Sequence, residues 1–384
     1  MLIDVPVFID DADMLRVQEA IDAFLARGAQ SLLILAAEDS GQNLAGWNSL
    51  LRALPVPVFG GVFPRVLFAG QAHACGVLIV ALSCRAEVCI VADPDGVASA
   101  REALHEALQA LRTARTVMLW VDGLSAHIET LISEVYDVLG AGPAFLGGGA
   151  GSTRLCAEPC LFSARGVTGG AQIVGLPVAL GLGVRHGWEP VAGPFLVSSV
   201  SGCRIQGLDF RPALEVYREE VRRLSGQMVD PANFFSTARA FPLGLERMDG
   251  SFIVRDPVRA EGDSVVCIGE VPAQSALHIL HGRPAALMKA SEGACQDALD
   301  SGVQPAAALL VDCLSRALHL DAVHEGQAAI ITQFLSRSCG APVPVFGVLS
   351  LGEIASEGAG CLEFHNKTFV LGLIPHAGTQ PDPT

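Results

Sequence analysis

Continuous apolar runs alternate with amphipathic stretches along most of this 384-residue chain. An apolar run of strand length predicts a β-strand buried on both faces, and an apolar period near 3.6 predicts a helix packed against it. The succession of run, helical stretch, Pro-X-Phe phrase and glycines occurs three times. We therefore predict a repeated strand–helix–strand unit. The runs are residues 31–37, 116–121 and 308–311, and the helical stretches are residues 44–54, 128–139 and 323–339.

The Pro-X-Phe phrase has a physical logic that is the same in each copy. Proline ends the incoming helix or loop, the apolar residues open a buried strand, and glycine permits close backbone approach. Three copies of one unit are typical of an architecture built by duplication. The copies are Pro57-Val58-Phe59-Gly60-Gly61, Pro143-Ala144-Phe145-Leu146-Gly147-Gly148 and Pro344-Val345-Phe346-Gly347.

The remaining pattern completes an α/β prediction: two domains of repeated units that form helix-covered mixed β-sheets. A polar segment marked by proline and glycine, residues 226–233, separates domain 1–225, with two related units, from domain 226–375. Residues 376–384 are predicted to be a mobile tail. Further helices are predicted at 12–27, 98–111, 212–224 and 285–300, an adjacent strand pair at 75–82 and 87–91, two apolar strands within 169–184, a hairpin at 195–208, and strands at 251–258 and 264–270.

Composition narrows the classes of function. A net charge of −15 with only two lysines, Lys289 and Lys367, argues against nucleic acid or an anionic membrane as partner. No apolar run approaches the ~20 residues of a membrane span, and the start of the chain lacks a basic signal region. We therefore expect a cytoplasmic protein, whose eleven cysteines are reduced thiols.

Short phrases spread over almost the whole chain resemble those of the FIST family, sensory proteins with an N-terminal and a C-terminal FIST domain. No single phrase is specific, but their order and spacing together are. The phrases are Phe59-Gly60-Gly61, Gly147–Gly151, Gly183–Pro190, Ile205–Asp209 with Tyr217, Pro242-Leu243-Gly244, Asp312–Arg316, Gly352-Glu353-Ile354 and Phe364–Thr368.

The resemblance implies a small-ligand sensor, often found beside signalling enzymes, with no catalytic chemistry generally assigned. One branch, the stand-alone two-domain proteins, is similar to heme-binding nitric-oxide sensors that act on histidine kinases or cyclic-di-GMP enzymes. We expect the present chain to have that form, since its sequence shows two FIST-like halves and no kinase or diguanylate segment. A homodimer is left open as the assembly.

For heme, the first candidate axial ligand is His186, which follows an apolar strand. Trp188 is a candidate to pack on the porphyrin, and Arg185 to pair with a propionate. The alternative for His186 is a histidine that ends a strand and hydrogen-bonds locally. The first hypothesis is thus a heme-based nitric-oxide sensor.

The second hypothesis is a receptor for an amino acid or another small polar metabolite. Its candidate residues are polar groups near the third unit: Glu353, His365, Asn366, Arg316 and Cys313. His365, placed at the start of the last strand, has the alternative of a hydrogen-bonded core residue. For Cys313 the alternatives are a reactive thiol, an iron ligand or a small buried hydrophobe.

Other polar groups receive less weight. Glu38, Asp122 and Asp312 end related strands, where they either face one pocket or cap helices. His127 ranks as a third ligand candidate. The pairs His278/His281 and His319/His324 are expected at the surface, Cys156 and Cys160 are not expected to bind zinc, and the glycine cluster at 147–151 lacks the lysine of a phosphate loop. Because no nucleophile–base pattern is present, we predict a protein that is not an enzyme.

Overall fold

A computed structural model describes residues 1–11, 13–92, 101–356 and 360–376. Three α/β units share one plan, in which an edge strand, a helix, a strand, a second helical layer and a parallel strand are followed by a hairpin and a returning strand. The first unit comprises β1 (Val7–Ile9), α1 (Met14–Ala26), β2 (Ser31–Ala37), α2 (Leu44–Ala53), β3 (Val58–Phe63), β4 (Arg65–Phe68), β5 (Gln71–His73) and β6 (Val77–Leu82). The second comprises β7 (Glu87–Val91), α3 (Arg101–Leu108), β8 (Thr116–Asp122), α4 (Ile128–Leu139), β9 (Ala144–Ala150), β10 (Leu161–Ser163), β11 (Gly166–Thr168) and β12 (Ala171–Leu176).

The third unit begins with β13 (Gly181–Arg185) and is then interrupted by an antiparallel insertion. The insertion contains β14 (Glu189–Ser201), β15 (Arg204–Leu208), β16 (Arg211–Pro212), α5 (Ala213–Ser225), α6 (Phe234–Ala238), β17 (Leu243–Glu246), β18 (Phe252–Glu261), β19 (Ser264–Ile268) and β20 (Ala276–His281). The unit resumes with α7 (Pro284–Asp300), β21 (Pro305–Cys313), α8 (Leu314–Leu320), α9 (Ala322–Cys339), β22 (Val345–Ser350), β23 (Glu353–Ser356), β24 (Leu362–His365) and β25 (Phe369–Pro375).

Each unit builds a six-stranded sheet around a parallel pair, and each borrows its last two strands from another unit. The orders are β1-β6-β2-β3-β10-β11, β7-β12-β8-β9-β23-β24 and β13-β25-β21-β22-β4-β5. The hairpin β4–β5 of the first unit thus joins the third sheet, β10–β11 joins the first and β23–β24 joins the second. This cyclic exchange ties the three units together, and their apolar side chains merge in one core that contains Ile34, Trp120 and Leu309.

The insertion forms a ring of strands, because β14 pairs with both β20 and β15. Helix α5 covers this ring with Leu214, Val216, Tyr217 and Val221, all buried. The Tyr217 hydroxyl donates to the Phe241 carbonyl over 2.8 Å, which satisfies its polar end inside the apolar core.

The glycines of the repeated phrase are required by the parallel pairs. Gly147 lies opposite Leu119 and Gly347 opposite Leu310. A Cβ on either glycine would lie 1.8 Å from the backbone oxygen of that partner, so neither position has room for a side chain. Close approach of the two backbones is therefore the reason for glycine in this phrase.

The fold class is confirmed: mixed sheets flanked by helices, with the strand–helix–strand repeat at the three predicted places. The predicted pairing of strands 75–82 and 87–91 is wrong, because β6 pairs with β1 and β2 whereas β7 pairs with β12. The two strands within 169–184 likewise belong to different sheets. Each of these strands pairs within the sheet of its own unit. The local sequence does not show which sheet a strand joins.

Sheet pairing also crosses the predicted division at residue 225, since β13 pairs with β25. The predicted helix at 98–111 begins outside the described residues, as does nearly all of the predicted tail. In the described part of the chain, no helix is both long and apolar enough to cross a membrane.

Candidate ligand-binding site

A cavity of about 300 Å³ lies at the carboxyl ends of the parallel strands β21 and β22, the edge where open α/β sheets place ligands. We call it the Asp256 cavity. Its walls come from the third unit, from the insertion and from the segment that follows β9. The lining residues are Thr153, Leu155, Phe235, Asp256, Val258, Ile268, Cys313, Leu314, Ser315, Leu318, Ser350, Leu351, Gly352 and Asn366.

The cavity has apolar walls and a polar floor. Seven of its side chains are large and apolar, and two of these, Leu155 and Leu318, are 54% and 41% exposed at the rim. The polar floor consists of Asp256, Ser315, Ser350 and Asn366. An apolar enclosure with a few placed polar groups is typical of a small-molecule site.

Asp256 is the charged group of this floor and is 1% exposed. Its Oδ1 lies 3.2 Å from Lys367 Nζ, yet neither carboxylate oxygen accepts a hydrogen bond from the part of the chain that the structure describes. Asp256 is part of β18, and its backbone N–H donates to Asn366 Oδ1 over 3.2 Å. This hydrogen bond ties β18 to the turn before β25. A buried carboxylate with unused acceptor positions is costly unless a partner completes it.

Lys367 joins the cavity floor to three other parts of the fold. Its Nζ donates to Ser315 Oγ over 2.6 Å and to the Arg239 carbonyl over 3.0 Å. Its own carbonyl accepts from Trp188 Nε1 over 3.0 Å, and its ammonium lies 5.2 Å from the centre of that ring. The ammonium thus makes two hydrogen bonds within the protein and an ionic contact with Asp256.

Behind the floor lies an ion network centred on the fully buried pair Asp312 and Arg316. Arg316 Nη1 lies 3.0 Å from both carboxylate oxygens of Asp312, and the same nitrogen donates to Gln327 Oε1 over 2.8 Å. Nη2 donates to Ser291 Oγ, and His324 Nε2 lies 3.0 Å from Asp312 Oδ2. Burial acts to raise the pKa of Asp312, but Arg316 and the hydrogen bonds outweigh it and hold this pKa below its usual value.

Glu353 is buried beside this network. Burial raises its pKa well above the usual value, and nearby Asp312 acts in the same direction. Ser350 Oγ donates to Glu353 Oε1 over 2.8 Å, and the Thr368 N–H donates to Oε2 over 3.1 Å. Burial and the neighbouring Glu353 also raise the pKa of the Cys313 thiol, which is therefore not a thiolate at neutral pH.

The segment of residues 151–160, which we call the strap, separates the Asp256 cavity from a second cavity of about 410 Å³. Thr153 and Leu155 line the first, whereas Ser152 and Arg154 line the second. Glu38 anchors the strap, because its carboxylate accepts from the Thr153 N–H over 2.7 Å and from the Thr153 hydroxyl over 2.9 Å. Successive side chains of the strap thus face opposite cavities.

His186, Arg185 and Trp188 line a different space, an open groove of about 840 Å³ between β13 and α7 that we call the His186 groove. Nδ1 of His186 accepts from the Trp188 N–H over 2.9 Å, which leaves the ring proton on Nε2. The ring also lies within reach of the Phe252 backbone carbonyl, and burial lowers its pKa to about 4. Arg185 forms an ion pair with Asp297 across 2.6 Å.

This geometry does not fit His186 as an iron ligand, because an iron–nitrogen bond has to displace one of these hydrogen bonds. Trp188 is 3% exposed, and its ring N–H donates to the Lys367 carbonyl. Its ring therefore has little free surface on which a porphyrin could pack. Among the described residues, no group of three or more His, Cys, Asp or Glu side chains is placed to hold a metal ion.

The structure brings together part of the second set of candidates. Cys313 and Asn366 line the Asp256 cavity. Glu353 and Arg316 are not among the lining residues. Glu353 accepts a hydrogen bond from Ser350, which does line the cavity. His365 ends β24 rather than starting the last strand, and it is buried with Nε2 unpartnered and a pKa lowered to about 3, by burial first.

Several polar groups differ from expectation. His278 and His324 are not surface residues: His278 is buried beside Glu246, and the side chain of His324 is 10% exposed. Glu38, Asp122 and Asp312 each have a different partner in the structure. They anchor the strap, bind the Leu124 N–H and pair with Arg316, respectively.

The sequence-based candidates omit the two most informative residues, Asp256 and Lys367. Both left a signal. Asp256 is a charged residue in the middle of the strand predicted at 251–258, and Lys367 is one of only two lysines in the chain. What makes them a site is their contact across the fold, which no local pattern records.

Comparison with known proteins finds two family matches. The profile of the FIST N domain matches residues 17–211, and that of the FIST C domain matches residues 213–356. No curated protein matches the chain.

Proposed function

This chain belongs to the FIST family, and we propose that it is a sensor whose ligand occupies the Asp256 cavity. FIST domains are associated with signal transduction and small-ligand sensing. The observation that carries the proposal is a cavity of about 300 Å³ with apolar walls and an uncompleted carboxylate at its floor. The ligand is accordingly a small molecule with an apolar part and a polar group, within the class of amino acids and similar metabolites.

The proposal assigns binding and not catalysis to the cavity. Its nucleophile candidate, Cys313, has a raised pKa and no histidine among the residues that line the cavity with it. The occupied state then differs from the empty one in how the floor and the strap pack. A partner signalling protein, such as a histidine kinase or a cyclic-di-GMP enzyme, receives the signal if it binds the two states with different affinity.

Thermal-shift measurements on the purified protein test this function. The panel contains the amino acids and short amines, alcohols and carboxylic acids, because a ligand at 100 times its Kd stabilises the folded state by roughly 2.7 kcal/mol. A hit is then repeated with Leu318→Trp, which fills the mouth of the cavity. The shift should disappear in this variant.

Ile330→Trp is the matched control, since Ile330 is 40% exposed on α9 and is not among the residues lining the cavity. It should keep the full shift. A flat panel, or a shift that Leu318→Trp leaves intact, would remove the Asp256 cavity as the ligand site.

The heme-based nitric-oxide sensor stays a prediction, supported by the FIST N and FIST C arrangement and not by the surroundings of His186. Titration of the purified protein with hemin tests it directly. A stoichiometric Soret band that is lost in His186→Ala would restore His186 as the ligand, and no band at any hemin ratio would end the hypothesis.

A further inference from the structure

We infer that the ligand of the Asp256 cavity is a small monoamine: one ammonium group on a short apolar body, with no carboxylate. This inference rests on the proposed function and narrows it, because it separates amines from the zwitterionic amino acids. The polar atoms of the cavity that lack a partner show which group the ligand must carry.

The unsatisfied atoms are the carboxylate oxygens of Asp256. Neither accepts a hydrogen bond from a described residue, and the contact of Oδ1 with Lys367 is an ionic one. Buried polar atoms in native proteins nearly always have partners, so these oxygens indicate a missing donor. A charged donor is the strongest partner for a carboxylate, because both members of the hydrogen bond are ionised.

The other polar side chains of the floor have partners within the protein. Asn366 Oδ1 accepts from the Asp256 N–H, and its amide nitrogen donates to the His365 carbonyl over 3.0 Å. Ser350 Oγ bonds to Glu353, and Ser315 Oγ accepts from Lys367. The Thr153 hydroxyl donates to Glu38 at the rim. Asp256 therefore sets the polar requirement of the ligand.

A ligand carboxylate has no counterpart here. None of the described residues that line the cavity is Lys, Arg or His. The ammonium of Lys367 is committed to Ser315, to the Arg239 carbonyl and to Asp256. An anionic group in this space would lie near Asp256 and lose its hydration without a cation to replace it.

The walls specify the rest of the ligand. Phe235, Val258, Ile268, Leu314 and Leu318 surround the floor with apolar surface, which suits a branched aliphatic or aromatic body. A divalent cation suits this lining less well than an ammonium, since Ca²⁺ takes six to eight oxygen ligands and the described lining residues include one carboxylate among mostly apolar side chains.

The test compares 3-methylbutylamine, 3-methylbutan-1-ol and 3-methylbutanoate, which share one branched carbon skeleton, with leucine, which is 3-methylbutylamine carrying a carboxylate on C1. Isothermal titration calorimetry with the full chain at pH 7 gives the four Kd values. We expect the amine to bind at least tenfold more tightly than each of the others. An alcohol, acid or leucine that binds as tightly as the amine would overturn the inference.

Asp256→Asn provides the second readout. It should weaken the amine at least tenfold and change the alcohol less than threefold; an amine affinity that the substitution leaves unchanged would contradict the inference. If this variant does not fold, the four-compound series on the unaltered protein decides alone.

The outcomes separate the two proposals. Binding of the alcohol or of leucine in preference to the amine, lost in Leu318→Trp, rejects the monoamine and keeps the cavity as the sensor site. No binding by any member of this series overturns the monoamine, and a flat result over the wider panel overturns the sensor function itself.

Discussion

Lys367 Nζ lies 3.2 Å from Asp256 Oδ1, although both side chains are almost completely excluded from solvent and come from different parts of the fold. The first belongs to the turn before β25 and the second to β18 of the insertion. Two buried charges this close compensate each other, so removal of one leaves the other without a partner.

Lys367→Met should therefore destabilise the protein strongly, by about 3–5 kcal/mol. The loss combines an uncompensated Asp256 with the broken bonds to Ser315 and Arg239. Urea unfolding followed by circular dichroism measures it. Lys289→Met is the control, because Lys289 is the other lysine of the chain and is exposed; it should change the free energy of unfolding by less than about 0.5 kcal/mol. Equal effects of the two substitutions would contradict the buried pair.

The Asp312–Arg316 pair should make stability fall in acid. Because the folded-state pKa of Asp312 lies below its unfolded value of about 3.9, its contribution is present above that pH and is lost as the pH falls through the folded pKa. Asp312→Asn should cost about 3–5 kcal/mol at pH 7, since Arg316 loses its counterion.

Unfolding of both proteins between pH 7 and pH 2.5 measures this dependence. The difference in free energy of unfolding should narrow at the acid end, where the native carboxylate takes up a proton. A difference that stays constant over this range would show that Asp312 does not titrate with a lowered pKa.

Glu353 should have the opposite effect on pH dependence. Its raised folded-state pKa means that the folded protein holds a proton that the unfolded chain, with a pKa near 4.3, releases. Its linkage term therefore lowers stability as the pH rises from about 4 towards the folded pKa, by up to about 1.4 kcal/mol per pH unit.

Glu353→Gln removes this titration while it keeps the shape and an acceptor for the Ser350 hydroxyl. Relative to the unaltered protein, the variant should gain stability in chemical unfolding as the pH rises from about 5 towards the folded-state pKa of Glu353. A stability difference that declines with pH would mean that Glu353 is ionised in the fold.

Gly347→Ala should disrupt the third sheet. The added Cβ would lie 1.8 Å from the Leu310 carbonyl oxygen, so β21 and β22 must separate. Loss of the cooperative unfolding transition, or at least a several-kcal/mol destabilisation, is the expected result in a thermal melt. Gly326→Ala is matched to it, since nothing lies within 4 Å of its Cβ position on helix α9, where alanine should raise stability by up to about 1 kcal/mol. A melt in which both variants behave alike would refute the close approach.

His186 should remain neutral through the physiological range. Burial lowers its pKa to about 4, and the Trp188 N–H holds its Nδ1 as an acceptor. Two-dimensional NMR of the imidazole nitrogens should show the Nε2–H tautomer without titration between pH 5.5 and pH 8. A midpoint near 6.5 would indicate a solvated ring, one with a nitrogen available to a metal.

Local pattern was sufficient for the elements themselves. Residues 31–37 and 128–139 coincide with β2 and α4, because a buried strand needs unbroken apolar residues and an amphipathic helix repeats its apolar face every 3.6 residues. The family, the repeat and two lining residues of the cavity, Cys313 and Asn366, also followed from the order of phrases along the chain.

Only the tertiary structure shows the exchange of hairpins among the three sheets. The sequence of a hairpin indicates that its two strands pair with each other, but it does not indicate which sheet the hairpin joins. The same holds for the glycines of the repeated Phe-Gly phrase. They lie so close to a backbone oxygen of the neighbouring parallel strand that no side chain fits, and this contact forms only in the folded sheet. Asp256 and Lys367 show why the site escaped prediction. Sequence shows that both residues are charged, but whether each is buried and which partner it meets depend on the surfaces that the fold brings into contact.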